Sequence, residues 1–214
     1  MITEKPRRIW EISPLISEKI AVFPGDTPFS REVALSFEQG HHLTLSALRS
    51  TLHLGAHADA ANHYDAKGGG VEARALDPYL GPVQVCAVDL PRGERILPHH
   101  LKAPIEARRV LFATNSFPDP NQWNDDFNSL SPELIHHLAD LGVMLVGIDT
   151  PSVDPATSKK LESHQALMAR DVCVLEGIVL SEVPEGLYNL VALPLRIQHA
   201  DASPVRAILL ERDV

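Results

Sequence analysis

Short apolar runs and alternating stretches, each closed by Gly, Pro, Asn or Asp, set the rhythm of the chain. Residues 9–12, Ile-Trp-Glu-Ile, read as a first short strand. Residues 31–38 alternate in part. Residues 43–54 alternate with one slip, which predicts a strand that delivers His53. Pro24-Gly25-Asp26-Thr27-Pro28 is a strong turn signal, with Phe23 just before it. Leu80-Gly81-Pro82 predicts another turn. Residues 83–90, 109–114, 143–149, 172–180 and 205–210 predict strands, the strongest at 172–180. Ser131-Pro132-Glu133 opens a helix with Ser131 as N-cap and Pro132 in the first helical position; Gly142 ends it. Short helices are predicted over 98–107 and over 164–170, the latter capped by Ser163. Residues 115–130 form a long loop rich in Asn, Asp and Pro, of the kind that tends to be functional. The helix-then-strand order around 131–149 suggests an α/β unit. The length of 214 residues suits one large domain or two small ones. No linker, repeat or heptad pattern splits the chain, so a single domain over 1–214 is expected.

Composition narrows the class. Hydrophobic residues at 44% and charged residues at 22% describe an ordinary globular protein. A formal charge of −9 argues against nucleic acid or an anionic membrane as partner. Cys86 and Cys173 lie in apolar runs and read as reduced thiols. The segment Met1 to Arg8 lacks the apolar core of a signal peptide, and no stretch approaches the roughly 18 apolar residues of a membrane span. A cytoplasmic location is therefore expected.

The chemistry gathers in His53-Leu54-Gly55-Ala56-His57-Ala58-Asp59-Ala60-Ala61-Asn62-His63. Imidazole and carboxylate together suit zinc-like cations. The polar groups stand four, six and ten residues beyond His53. No single helical face gathers those spacings. A straight strand would put all four on one face but hold His53 and His63 about 33 Å apart. The segment must bend if the groups converge, and Gly55 and Asn62 are the places that tolerate it. His57-Ala58-Asp59 can stay extended, with both side chains facing the same way. The plain alternative is a set of surface histidines near a turn.

Glu176 stands in the apolar run Val-Cys-Val-Leu-Glu-Gly-Ile-Val-Leu, where an ionised carboxylate costs several kcal/mol unless paired or metal-bound. Its partner is a cation: a metal, or an arginine or lysine. His164 gains weight only beside it. His53, His57, Asp59, His164 and Glu176 make five candidate ligands. A single open zinc site needs three of them; two ions sharing a bridging carboxylate would use all five. His63 is left over, with an ordinary pKa that suits a general acid/base. By pattern alone Phe23 is a core residue.

These residues carry a resemblance to the metal-dependent cyclase-like hydrolases, marked by H-x-G-T-H-x-D-x-P-x-H. Trp10-Glu11-Ile12-Ser13, Phe23 to Pro28, His53 to Tyr64, Gly147 to Ser152 and Glu176-Gly177 match it, so it spans nearly the whole chain. Ala56 replaces the motif threonine, as is common in formamidase-type members, and Ala61 replaces the motif proline. The resemblance implies an α/β (α+β) fold: a mixed, β-rich, barrel-like central sheet flanked by helices. It implies a homodimer with two zinc ions per subunit. His53, His57, Asp59, His164 and Glu176 match the family's metal ligands, His63 its catalytic histidine, and Phe23 an aromatic substrate-contact position often held by tryptophan. The implied reaction is hydrolysis of N-formyl-L-kynurenine to L-kynurenine and formate, in tryptophan degradation. Siblings act on another aryl formamide or on a cyclic amide such as isatin. A metal-binding dimer without catalysis is the remote alternative, and His63, standing beyond the five ligands, speaks against it.

Overall fold

A computed structural model describes residues 8–212; the signal-peptide reading of the first seven residues lies outside them. The strands are β1 (Ile9–Glu11), β2 (Ser30–Leu35), β3 (Leu45–Arg49), β4 (His57–Asp59), β5 (Leu80–Ala87), β6 (Arg95–Ile96), β7 (Arg109–Ala113) and β8 (Ser129–Leu130). Helix α1 (Pro132–Asp140), β9 (Leu145–Ile148), α2 (Glu162–Arg170), β10 (Cys173–Glu176), β11 (Gly186–Val191), β12 (Ala202–Pro204) and β13 (Ile208–Glu211) follow. Nine of the strands form a curled mixed sheet in the order β1-β13-β11-β5-β7-β9-β10-β4-β12. β5, β7, β9 and β10 run parallel in its centre, and the strands on either side join antiparallel. The expected β-rich, barrel-like α/β architecture is what the chain forms.

The central strands are buried on both faces, which is why they read as unbroken apolar runs. Successive side chains point to opposite sides. Leu111, Leu145 and Leu175 enter one core with Val83, Leu190 and Leu209. Val110, Phe112, Val146, Ile148 and Val174 enter the other, beneath Leu134, Leu138 and Leu167 of the two helices. Burying each of these leucines contributes about 1.5–3 kcal/mol. α1 begins as its sequence predicts: the Ser131 hydroxyl accepts from the Leu134 amide at 3.0 Å, and Gly142 closes the helix at φ 85°.

The same parity places the site. β4 lies between β10 and β12, with His57 opposite Glu176 and Ala58 opposite Leu175. Ala58 belongs to the first core, so His57 and Asp59 face the other side. That is the side on which α2 presents His164.

Several local expectations are corrected. β3 stops at Arg49 and does not deliver His53. The Thr51 amide donates to the Thr27 carbonyl (2.9 Å), and the His53 amide donates to the Thr51 hydroxyl (3.2 Å), so these backbone groups leave the ladder. Glu176 is the last residue of β10 rather than the middle of a strand, because Gly177 turns left-handed at φ 64°. Ser163 lies inside α2; the cap position is Leu161 at φ 51°. Of residues 98–107, Pro98–His100 form one 3-10 turn, and Pro104 disfavours helix at the residue before it. Leu80-Gly81-Pro82 is the start of β5, where the Pro82 carbonyl accepts from Arg109 Nη1 at 3.2 Å. Cys86 and Cys173 are free thiols. No helix among the described residues is long and apolar enough to cross a membrane.

Candidate metal and catalytic site

Two turns do the bending that the spacing demands. Gly55, at φ 55°, swings the chain from His53 into β4, and a 3-10 turn over Ala61–His63 brings His63 back. The His53 and His63 rings end with centroids 4.2 Å apart. Asn62, the other proposed bend, lies within that 3-10 turn. Gly177 is needed for close approach: a Cβ there would run into the Gly55 carbonyl. The end of β10 and the bend before His57 therefore meet backbone against backbone.

All six polar residues come together. His57 Nε2 lies 3.2 Å from Glu176 Oε2 and 3.4 Å from Asp59 Oδ1. His164 Nε2 lies 3.3 Å from Asp59 Oδ2 and 3.4 Å from Glu176 Oε1. His53 Nδ1 lies 3.1 Å from Asp59 Oδ1. Donor atoms of His53, His57 and Asp59 lie within 4.8 Å of one another, as do those of Asp59, His63 and His164 and those of His53, His63 and Asp201.

A cation fits this cluster. Asp59 and Glu176 are 1% and 3% exposed, and among the described residues no lysine or arginine pairs with either. Both Asp59 oxygens, His57 Nε2 and His164 Nε2 are buried without a hydrogen bond of acceptable direction. Orphaned atoms of this kind are rare unless a ligand takes them. The outward ring nitrogens are all occupied: His57 Nδ1 by the Gly55 carbonyl (2.8 Å), His164 Nδ1 by Asp154 Oδ2 (2.8 Å) and His53 Nε2 by Asp201 Oδ2 (3.0 Å). Metal-binding histidines are oriented in this way.

Electrostatics agree. Burial alone would lower the His53 pKa, but Asp59, with Glu176 and Asp201, outweighs it and raises the ring to about 9. His164 is raised well above its ordinary value; Asp154, Asp59 and Glu176 overcome its burial. Burial would push Asp59 and Glu176 up, yet the histidines hold both low, Asp59 strongly. His63 is lowered, by desolvation first, with His53 and His164 adding repulsion.

A pH dependence follows for protein stripped of metal. His53 has a folded pKa of about 9 against an ordinary value of 6.5. Its stabilising contribution is complete below 6.5 and disappears as pH rises through 9. Melts of the chelated protein should show Tm falling from pH 6.5 to 9. A flat or rising Tm over that interval would contradict the ion-paired cluster.

The cluster opens into a cavity of about 400 Å³. Phe23 lines it, as do Phe117 and Trp123. Phe23 is 40% exposed and meets Trp123 edge-on at 5.0 Å, so it is a wall residue and not core. Trp123 is pinned by a 2.7 Å bond from its Nε1–H to Asp125 and contacts Phe117 and Phe127. Buried Asp149 accepts from the Thr114 and Asn115 amides and the Thr114 hydroxyl, which anchors the start of this wall. Trp123, Asp154 and Asp201 escaped the sequence reading. The long 115–130 loop and the polar segment after residue 148 were signals for the first two; nothing local marks Asp201.

Residues 10–155 match the Cyclase family model. The chain is 45% identical over 208 residues to a kynurenine formamidase of Bordetella petrii, covering 96% of this chain and 99% of that one. Among solved structures it resembles one described as a "Potential Metal-Dependent Hydrolase With Cyclase Activity", with TM-score 0.82, 25% identity and coverage of 98% and 100%. It shares the fold of isatin hydrolase A from Labrenzia aggregata, with TM-score 0.78, 20% identity and coverage of 97% and 94%.

Proposed function

The chain belongs to the cyclase family, and from that membership we propose a complete reading of its site and reaction. The enzyme is a metal-dependent hydrolase that converts N-formyl-L-kynurenine to L-kynurenine and formate, a step of tryptophan degradation. One observation carries the site: both Asp59 oxygens, His57 Nε2 and His164 Nε2 are buried and unsatisfied in a cluster that His53 and Glu176 complete, with His63 beside it.

His53, His57, Asp59, His164 and Glu176 would hold zinc. Asp59 faces His53 and His57 with one oxygen and His164 with the other, and Glu176 divides in the same way between His57 and His164. That division supports a capacity for two ions per subunit. Zinc supplies a water of lowered pKa, about 7, and polarises the formyl oxygen. The protein does the rest. Phe23, with Trp123 beside it, packs on the aromatic ring and sets the formamide over the cluster. His63, neutral at pH 7, accepts a proton as the water oxygen bonds to the formyl carbon. It returns that proton to the aryl nitrogen as the C–N bond breaks, so the amine leaves uncharged.

The unit is a single domain over residues 1–214, a homodimer, and cytoplasmic. The β2–β3 ribbon supports the dimer. Both strands are exposed along nearly their whole length, with Leu45 at 56% and Leu48 at 72%. Two strands alone are marginal in water, so a second copy is their natural cover.

The test is a substrate panel on the zinc-loaded protein. N-formyl-L-kynurenine should turn over with kcat/KM in the usual enzymatic range of about 10⁴–10⁸ M⁻¹s⁻¹. No turnover would overturn the reading, and faster hydrolysis of isatin would replace it with the sibling activity.

A further inference from the structure

Helix α2 carries His164 in its first turn but supplies no cap of its own. Leu161 sits at the cap position with φ 51° and no side-chain acceptor. Asp154, fully buried on the segment after β9, does the work from outside. Its oxygens accept from the Ser163 amide at 3.0 and 3.1 Å and from the His164 amide at 3.1 Å. Asp154 Oδ2 also meets His164 Nδ1 at 2.8 Å, while Arg95 Nη2 holds Asp154 Oδ1 at 3.2 Å. Arg95 is tied in turn to the Ser163 hydroxyl (2.8 Å) and the Leu130 carbonyl (2.9 Å).

We propose that Asp154 is a positioning residue for the metal site, holding His164 as the Nδ1–H tautomer so that the Nε2 lone pair faces Asp59 and Glu176. This deepens the reading of His164 as a ligand and rests on it. A neutral imidazole donates from one nitrogen and accepts at the other, so whatever occupies Nδ1 decides what Nε2 can do. A carboxylate can only accept there.

Asp154→Asn removes the acceptor at His164 Nδ1 together with the cap bond from the His164 amide, and Ser163→Ala controls for a loosened helix start. Arg95 requires an oxygen at the Oδ1 position, so the new amide nitrogen falls beside His164 Nδ1. The remaining oxygen still takes the Ser163 amide. The amide nitrogen donates to Nδ1 and moves the ring proton to Nε2, where it blocks a cation.

Zinc affinity, read by chelator competition, should fall about 10–100-fold in Asp154→Asn, while the metal-free variant melts within a few degrees of metal-free wild type. Ser163→Ala, which loosens the same helix start without touching the His164 ring, should keep wild-type affinity. Wild-type affinity in Asp154→Asn, or an equal loss in Ser163→Ala, overturns the proposal. Nitrogen-15 spectra of the metal-free wild type, at a pH where the His164 ring is neutral, decide the matter even if the variant does not fold. A proton on His164 Nδ1 supports the assignment, and a bare Nδ1 overturns it. Wild-type protein that takes up no zinc at all would instead sink the ligand reading itself.

Discussion

Replacing His63 by alanine should lower kcat for N-formyl-L-kynurenine by about 10²–10⁴-fold and leave zinc uptake unchanged. The ring stands at the exposed lip of the cavity, 4.2 Å from His53 and 5.8 Å from His164 between centroids. Its removal leaves no buried gap, and the 3-10 turn that carries it is built from backbone bonds. Because its pKa is lowered, the ring is neutral near pH 7 and ready to take a proton. The acid limb of the wild-type rate profile should report its protonation and be missing in the variant. Initial rates across pH, paired with metal analysis, make the check. A variant that retains activity would move the proton transfer elsewhere. A variant that loses zinc with activity would make His63 a ligand, since its donor atom lies within 4.8 Å of Asp59 and His164 donors.

The second large effect concerns stability. At a thousandfold excess over Kd, zinc bound at one site would stabilise the folded chain by about 4 kcal/mol. For a protein of this length that corresponds to roughly 8–16 °C in Tm. A strong chelator should lower the wild-type Tm by that much. In Glu176→Gln the chelator should shift Tm by no more than about 2 °C at the same zinc concentration, since the affinity is gone. The variant should still fold, because an amide oxygen can keep the 2.7 Å bond that Glu176 Oε1 accepts from the Val153 amide. Paired melts with and without chelator give the answer. A full chelator response in Glu176→Gln would remove Glu176 from the metal site.

Legibility in the sequence followed the range of the interaction. The α1 start was readable because Ser131 and Leu134 are three residues apart. The α2 start was misread because its cap, Asp154, comes from outside the helix and its tie to Ser163 crosses nine residues. Tyr188 and Leu190 of β11 sit in a weak alternation that single-residue signals did not raise above the turns around it. β3 was overextended because Leu52 and Leu54 continue the apolar rhythm while their backbone groups bond elsewhere. Val33 of β2 and Leu45 and Leu48 of β3 carry a strand pattern, yet they face solvent in the single chain.

By itself the sequence determined the unbroken apolar runs that bury β7, β9 and β10 on two faces, the caps of α1, and a donor set of imidazole and carboxylate suited to zinc. It also determined that His53 to His63 must bend if its groups are to meet, since a straight strand would hold the ends about 33 Å apart. Tertiary structure decided how the bend is made and what completes it. Gly177 lets β10 press against Gly55, the β4–β10 register sets Glu176 opposite His57, and Asp154 and Asp201 choose which nitrogens of His164 and His53 face inward. Those partners lie between ten and roughly 150 residues apart along the chain. Short-range preferences cannot encode such pairings; only the closure of the sheet brings the groups within bonding distance.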